Sequence, residues 1–130
     1  MEKILQVIVA ASLLLFLLGT ADAKDPTPPK KTPELLRQGK KLYEQSCVTC
    51  HGPKGDGKGQ LGAALKPIPT DFTKPLKEWP ITKGVTSKVF EVITKGIPNS
   101  SMVKWDQLSI EERWALVYFV EGFASAAKKK

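Results

Sequence analysis

Cys47-Val48-Thr49-Cys50-His51 is the stretch of this chain whose residue types and spacing could do chemistry. Two thiols separated by two residues, with an imidazole directly after the second, form the attachment pattern for a c-type haem. Each thiol adds to one of the two vinyl groups, and the two-residue spacer lets one helical turn reach both. The imidazole then projects under the ring, where a nitrogen can ligate the iron axially. These are the only two cysteines and the only histidine in the chain, so nothing is left over for another metal or a disulfide.

Three plainer readings compete for the same residues. A thioredoxin-like redox pair belongs to a βαβ context, and no run of β-branched residues flanks the motif. A structural zinc site wants four ligands, usually from two separated pairs, whereas this chain offers one pair and an adjacent histidine. A structural disulfide suits an exported protein but explains neither His51 nor the thin core described below.

The elements around the motif are helical. Thr32-Pro33 is an N-cap followed by proline at the first helical position, and Leu35, Leu36, Gly39, Leu42 and Tyr43 then make an i, i+3/i+4 stripe running into the motif. Glycine inside a helix costs about 1 kcal/mol, which close approach of another helix would justify at Gly39. Residues 52–84 are dense in glycine, proline and lysine and predict a long wrapped loop with one short turn at Ala63 to Leu65. Such a loop argues against a compact domain unless it has something to wrap, and a haem is such an object. Neither the Asp56-Gly57-Lys58 run nor the glycine spacing fits a calcium or nucleotide loop.

Thr86 is expected to cap a short helix through Val89, Phe90, Val92 and Ile93 that stops at Gly96. An irregular loop through Ile97, Pro98 and Met102 follows. Ser109-Ile110-Glu111-Glu112 is a capping box opening the strongest helix, with Trp114, Leu116, Val117, Phe119, Val120 and Phe123. No repeat and no convincing strand stands out. Three to four modest helices cannot close a large apolar core, and a chain of about a hundred residues is near the size where cores become marginal. A buried porphyrin would supply the missing apolar mass.

The ends read differently. Lys3, the apolar run Ile4 to Gly19 and the small-x-small site Ala21-Asp22-Ala23 form a secretory signal, expected to be cleaved after Ala23. The apolar run is shorter than the roughly twenty residues of a spanning helix; an uncleaved anchor made by residues 4–19 is the alternative. Residues 24–32 are a Pro/Lys-rich tether with nothing to bury. The domain itself is expected over 33–127, and 128–130 are a basic tail suited to the negative end of the last helix. The formal charge of the whole chain is +7, and loss of Glu2, Lys3 and Asp22 with the signal would raise it by one.

With these residues in hand, the chain resembles a bacterial monohaem class I c-type cytochrome over about residues 33–124. The resemblance rests on the Cys-x-x-Cys-His stretch, on Leu65-Lys66-Pro67-Ile68-Pro69-Thr70-Asp71-Phe72, on Gly96-Ile97-Pro98 leading to Met102, and on Leu108-Ser109 followed by Glu111-Glu112-Arg113-Trp114-Ala115-Leu116-Val117. It implies an all-α, small cytochrome c-like fold of three to four helices with long loops wrapped around one covalently bound haem. Cys47 and Cys50 would make the thioethers and His51 would be the proximal ligand. Met102, the only methionine outside the signal, would be the sixth ligand, although Val103 stands where the family often has proline. Pro67 is expected to offer the carbonyl that orients His51, with Pro69 as the alternative, since such an outer partner is common at metal histidines. Gly39 and Tyr43 would cross the terminal helix near Leu116 and Phe119. Trp79, Trp105, Tyr43 and Phe72 would wall the pocket, with the Trp79 N–H a possible propionate donor.

Function follows from this set. Two axial protein ligands leave the iron no open site, so the chain reads as an electron carrier in an exported, periplasmic redox chain and not as an enzyme. No second histidine or cysteine pair suggests catalysis. The alternatives are a five-coordinate haem enzyme or gas sensor, which needs Met102 idle, and a haem subunit of a larger oxidoreductase. Expected partners of this monomer are acidic surfaces of redox donors and acceptors, met by Lys54, Lys58, Lys66, Lys74, Lys77, Lys83, Lys95 and Lys104 in the loops. Nucleic acid is no partner for an exported protein, and the membrane is one only if the signal is retained.

Overall fold

The computed structural model describes residues 27–128. The expected signal or anchor, the first residues of the tether and the last two lysines lie outside the described residues. Within them the chain forms four α-helices joined by loops: α1 Pro33–Ser46, α2 Val48–His51, α3 Thr86–Lys95 and α4 Ile110–Ala127. No strand occurs among the described residues, and no helix there is long and apolar enough to cross a membrane.

Helix α1 starts where its caps dictate. The Thr32 hydroxyl accepts from the amide of Leu35 (3.1 Å) and Pro33 occupies the first turn, which needs no N–H from that residue. Its buried face is Leu35, Gly39 and Tyr43, and this face packs on α4. A Cβ on Gly39 would run into the backbone carbonyl of Ala115 and lie 2.9 Å from Phe119 Cβ. The glycine is the condition for that crossing, at the place expected.

The last helix is closed by the full capping box: Ser109 Oγ accepts from the Glu112 amide (3.2 Å), and the Ser109 amide donates to the Glu112 carboxylate (2.8 Å). It buries Trp114, Leu116, Val117 and Val120. Helix α3 begins one residue away from expectation. Thr86 is its first residue, and Val85 takes the cap position with no side-chain bond, its carbonyl accepting from Lys88 and Val89. It ends at Gly96 as predicted. Phe90 of α3 stacks on Trp114 of α4, with centroids 4.6 Å apart and planes 21° from parallel. Arg113 donates to Thr94 Oγ1 across the same junction (2.9 Å).

The long loop is less irregular than its composition suggests. It contains two 3₁₀ turns, Gly62–Ala64 and Leu76–Glu78; the second was not legible in the sequence. It also folds back onto the cysteine motif: the amides of Gly57, Gly59 and Leu61 donate to the carbonyls of His51, Cys50 and Thr49 at 2.9, 3.1 and 3.0 Å. Gly57 has φ 75°, and a Cβ there would lie 2.6 Å from the Pro69 carbonyl oxygen. Two loop segments meet at that point with no room for a side chain.

Candidate functional site

Cys47 ends α1 and caps α2, so the chain turns at its α-carbon and the next four residues form one helical turn. His51 and Cys50 donate their amides to the Cys47 carbonyl at 2.9 and 3.2 Å. Both thiols are free, and with His51 they line a cavity of about 300 Å³. This is the low end of the range for small-molecule pockets, roughly 300–1,000 Å³. Pro67, Thr70, Phe72, Trp79, Leu116 and Val120 are among its walls, and Met102 lines it too. All five candidate site residues therefore meet at one cavity, although they come from the α1–α2 junction, α2, the long loop and the α3–α4 loop.

The partner of His51 differs from expectation. Its Nδ1 faces the carbonyl of Thr70 at 3.4 Å, and neither Pro67 nor Pro69 fills that role. The cause is the course of the backbone: the Pro69 carbonyl is turned toward Gly57, and the following one reaches the imidazole. The Phe72 amide holds this segment down by donating to the Gly55 carbonyl (2.6 Å). Because a carbonyl only accepts, Nδ1 carries the proton and Nε2 keeps its lone pair for a metal. Burial lowers the His51 pKa, with the Thr70 carbonyl opposing it, so the ring is held neutral. It also stacks on Phe72, centroids 4.6 Å apart and planes 15° from parallel.

The walls form a connected set. Phe72 leans on Trp79 (5.0 Å, 52°), and Trp79, only 2% exposed, donates its indole N–H to the Lys74 carbonyl (3.0 Å). That donor is spent on the backbone, so the propionate bond named above only as a possibility draws no support. Tyr43 donates its hydroxyl to the Gly52 carbonyl (2.7 Å), tying α1 to the end of α2; burial, with Cys47 and Asp56 nearby, raises its pKa far above the ordinary value. Trp105, Tyr43, Phe72 and Trp79 all line the cavity.

Met102 sits in a loop with its own hydrogen bonds. Its amide donates to Ser100 Oγ (3.1 Å), Ser100 Oγ–H donates to the Ile97 carbonyl (2.9 Å), and the Ile97 amide returns to the Met102 carbonyl (3.0 Å). Ser100 was missed in the sequence because serine in a loop is unremarked. So was Thr82, which no spacing could have revealed. It lines the cavity, is 6% exposed, and its hydroxyl has no partner among the described residues.

These residues fit a haem. The cavity is apolar, and burial, followed by the neighbouring Cys50, pushes the Cys47 thiol up to about 11. Among the described residues no group of three or more His, Cys, Asp or Glu side chains is arranged to hold a metal ion. An imidazole with a fixed tautomer and a thioether opening onto one apolar slot suit an iron porphyrin.

Comparison with known proteins agrees. Residues 34–120 match the family described as cytochrome c oxidase, cbb3-type, subunit III. Over 68 residues, 51% of this chain and 59% of the relative, it is 41% identical to cytochrome c-551 of Bacillus subtilis (strain 168). Its fold resembles a chain of the Kuenenia stuttgartiensis reducing HAO-like protein complex, with TM-score 0.62 and 30% identity over 81% of this chain and 48% of that one. The chain thus spans about six-tenths of the length of the curated relative and about half of the solved one. With a family match over most of its described length and a cavity built to suit the prosthetic group, the chain belongs to the cytochrome c family, as a monohaem class I c-type cytochrome whose cofactor is covalent haem c.

Proposed function

We propose that the protein is a one-electron carrier of an exported redox chain, its haem held by Cys47 and Cys50 and ligated by His51 and Met102. The observation that carries this reading is that His51 and Met102 line the same apolar cavity as the two thiols. When bound, the haem supplies reversible one-electron chemistry at iron. The protein's part is positioning and exclusion. One helical turn presents both sulfurs, the Thr70 carbonyl and the Phe72 ring orient His51, and the Ser100 bonds steady Met102. Phe72, Trp79, Leu116 and Val120 keep water from the centre, and a soft thioether in a dry site favours the reduced state.

The remaining expectations belong to the same reading. Residues 33–127 form the working domain of a monomer, delivered to the periplasm by a signal cleaved after Ala23 or held at the membrane by residues 4–19. Lys58, Lys66, Lys83 and Lys104 are exposed on loops around the cavity and suit acidic surfaces of donors and acceptors. Lys104 already pairs with Asp106 (2.8 Å), which leaves the other three as the better steering charges.

Redox titration of the purified holoprotein with absorption spectroscopy tests this. The expected result is one reversible one-electron step and, in the oxidised protein, the weak long-wavelength band of sulfur-ligated ferric haem. A spectrum of five-coordinate iron would sink it. A second reading, a haem subunit of a larger oxidoreductase, draws support from the descriptions of the matched family as a subunit and of the solved neighbour as a complex. Co-purification from the native membrane or periplasm decides between them.

A further inference from the structure

Among the described residues, the buried side-chain atoms without a hydrogen-bond partner are Thr82 Oγ1, Trp114 Nε1 and a carboxylate oxygen of Glu121. Of these residues only Thr82 lines the haem cavity, and it is 6% exposed. A hydroxyl sealed from water without a partner is costly to a fold. Its partner is therefore to be sought in what fills the cavity.

The backbone around Thr82 holds the hydroxyl in place. The Lys83 amide donates to the Trp79 carbonyl (3.1 Å) and the Val85 amide to the Thr82 carbonyl (2.9 Å), so Thr82 is pinned between two overlapping turns. Lys83 follows with φ 50° and Gly84 with φ 82°. A lysine in the left-handed region is uncommon, and such strain persists where the surroundings over-determine it, as at ligand clamps. The reversal leaves Lys83 exposed and turns the chain into α3, while Thr82 stays on the cavity wall.

Other donors in the wall are already engaged. Tyr43, Trp79 and Ser100 donate to the carbonyls of Gly52, Lys74 and Ile97, and His51 Nδ1 faces that of Thr70. No lysine or arginine is among the described residues that line the cavity. On a haem the ring nitrogens bind iron, and the periphery is hydrocarbon apart from the propionate carboxylates. An ionised carboxylate only accepts, and a hydroxyl that donates to one makes a strong, charge-assisted bond. The Met102 thioether is a weak acceptor by comparison.

We infer that the Thr82 hydroxyl donates a hydrogen bond to a haem propionate, the role that the Trp79 indole leaves open. In a wall without a cation, this bond draws off part of the carboxylate's negative charge, which otherwise favours ferric iron. Thr82 thereby holds the cofactor in place and keeps its potential up. The inference needs only the covalent haem and stands whatever occupies the sixth position.

The test compares holoproteins carrying Thr82→Val, which removes the hydroxyl and keeps the shape, and Thr82→Ser, which keeps the hydroxyl. Each is read by thermal melting, by redox titration well above the ordinary carboxylate range and by the propionate bending bands of the resonance Raman spectrum. Thr82→Val should melt several degrees lower, have a lower potential and shift a propionate band, while Thr82→Ser stays near the parent in potential and band position. The band shift should persist on a Met102→Ala background. The sign of the melting change is decisive, because removing a hydroxyl that has no partner leaves a fold as stable or more so. Thr82→Val melting at or above the parent, propionate bands that do not move, or Thr82→Ser behaving like Thr82→Val overturns the inference. A band shift that vanishes on the Met102→Ala background also overturns it, in favour of the Met102 sulfur as acceptor.

Discussion

The imidazole of His51 lies nearly parallel to the ring of Phe72, 15° between planes and 4.6 Å between centroids, while Thr70, two residues before Phe72, offers its carbonyl to Nδ1. One short loop segment therefore sets both the tilt and the tautomer of the ring. Phe72→Leu should keep haem attachment but lose about 0.5–1.5 kcal/mol of stability beyond the change in buried area. Denaturant melts of parent and variant holoprotein measure it; identical melting midpoints would mean the stacking is incidental.

Gly39→Ala should be strongly destabilising. The added carbon meets the Ala115 backbone, which cannot swing aside as a side chain can. Overpacking of this kind costs about 1–3 kcal/mol and at times more. Urea titration of the holoprotein checks it, and a loss below a few tenths of a kcal/mol would mean that α1 and α4 separate freely.

Met102→Ala should leave haem attached and lower the reduction potential, while opening the iron to external ligands. Cyanide or imidazole titrations followed by absorbance provide the readout. A variant that binds these ligands no better than its parent would remove Met102 from the ligand set.

Without haem the protein should be largely unfolded, because the cavity between α2, the long loop and α4 is where its core would otherwise be, and cofactor binding then acts as folding free energy. Cys50→Ser or His51→Ala should give little stable holoprotein. Circular dichroism of haem-free protein reads the outcome, native helix content with cooperative melting being the result that contradicts it.

Electron transfer to an acidic partner should slow as salt rises, since steering by exposed lysines raises encounter rates by about 10–10³ and is screened over a shorter length at high ionic strength. Lys66→Glu should slow transfer at low salt more than Lys129→Glu does. Stopped-flow rates across a salt series are the measurement, and a flat series would reduce the lysines to solubility residues.

Much of this was legible in the sequence because it depends on local rules. The Thr32-Pro33 start, the capping box at Ser109 and the stop at Gly96 follow from residues a few positions apart, whereas the helix that Gly39 meets was implied by the family resemblance. The Cys-x-x-Cys-His motif is likewise self-contained. What could not be read depends on where a loop's backbone points. Thr70 in place of Pro67 or Pro69, the Trp79 indole bonded to Lys74, and the Ser100 bonds under Met102 are all set by long-range folding of glycine- and proline-rich segments. Composition reports only that such segments bend.

The Met102 loop is closed at its base twice, by the Ile97 amide on the Met102 carbonyl and by the Trp105 amide on the Ile93 carbonyl, both at 3.0 Å. Its tip, residues 98–101, is thereby insulated from α3 and α4, like a cartridge held in a frame. On the proposed ligation by Met102, changes confined to the tip would reset the reach of the thioether without asking the helices to repack. The redox properties of such a centre would then be adjustable in a four-residue window, separately from the stability of the fold that carries it.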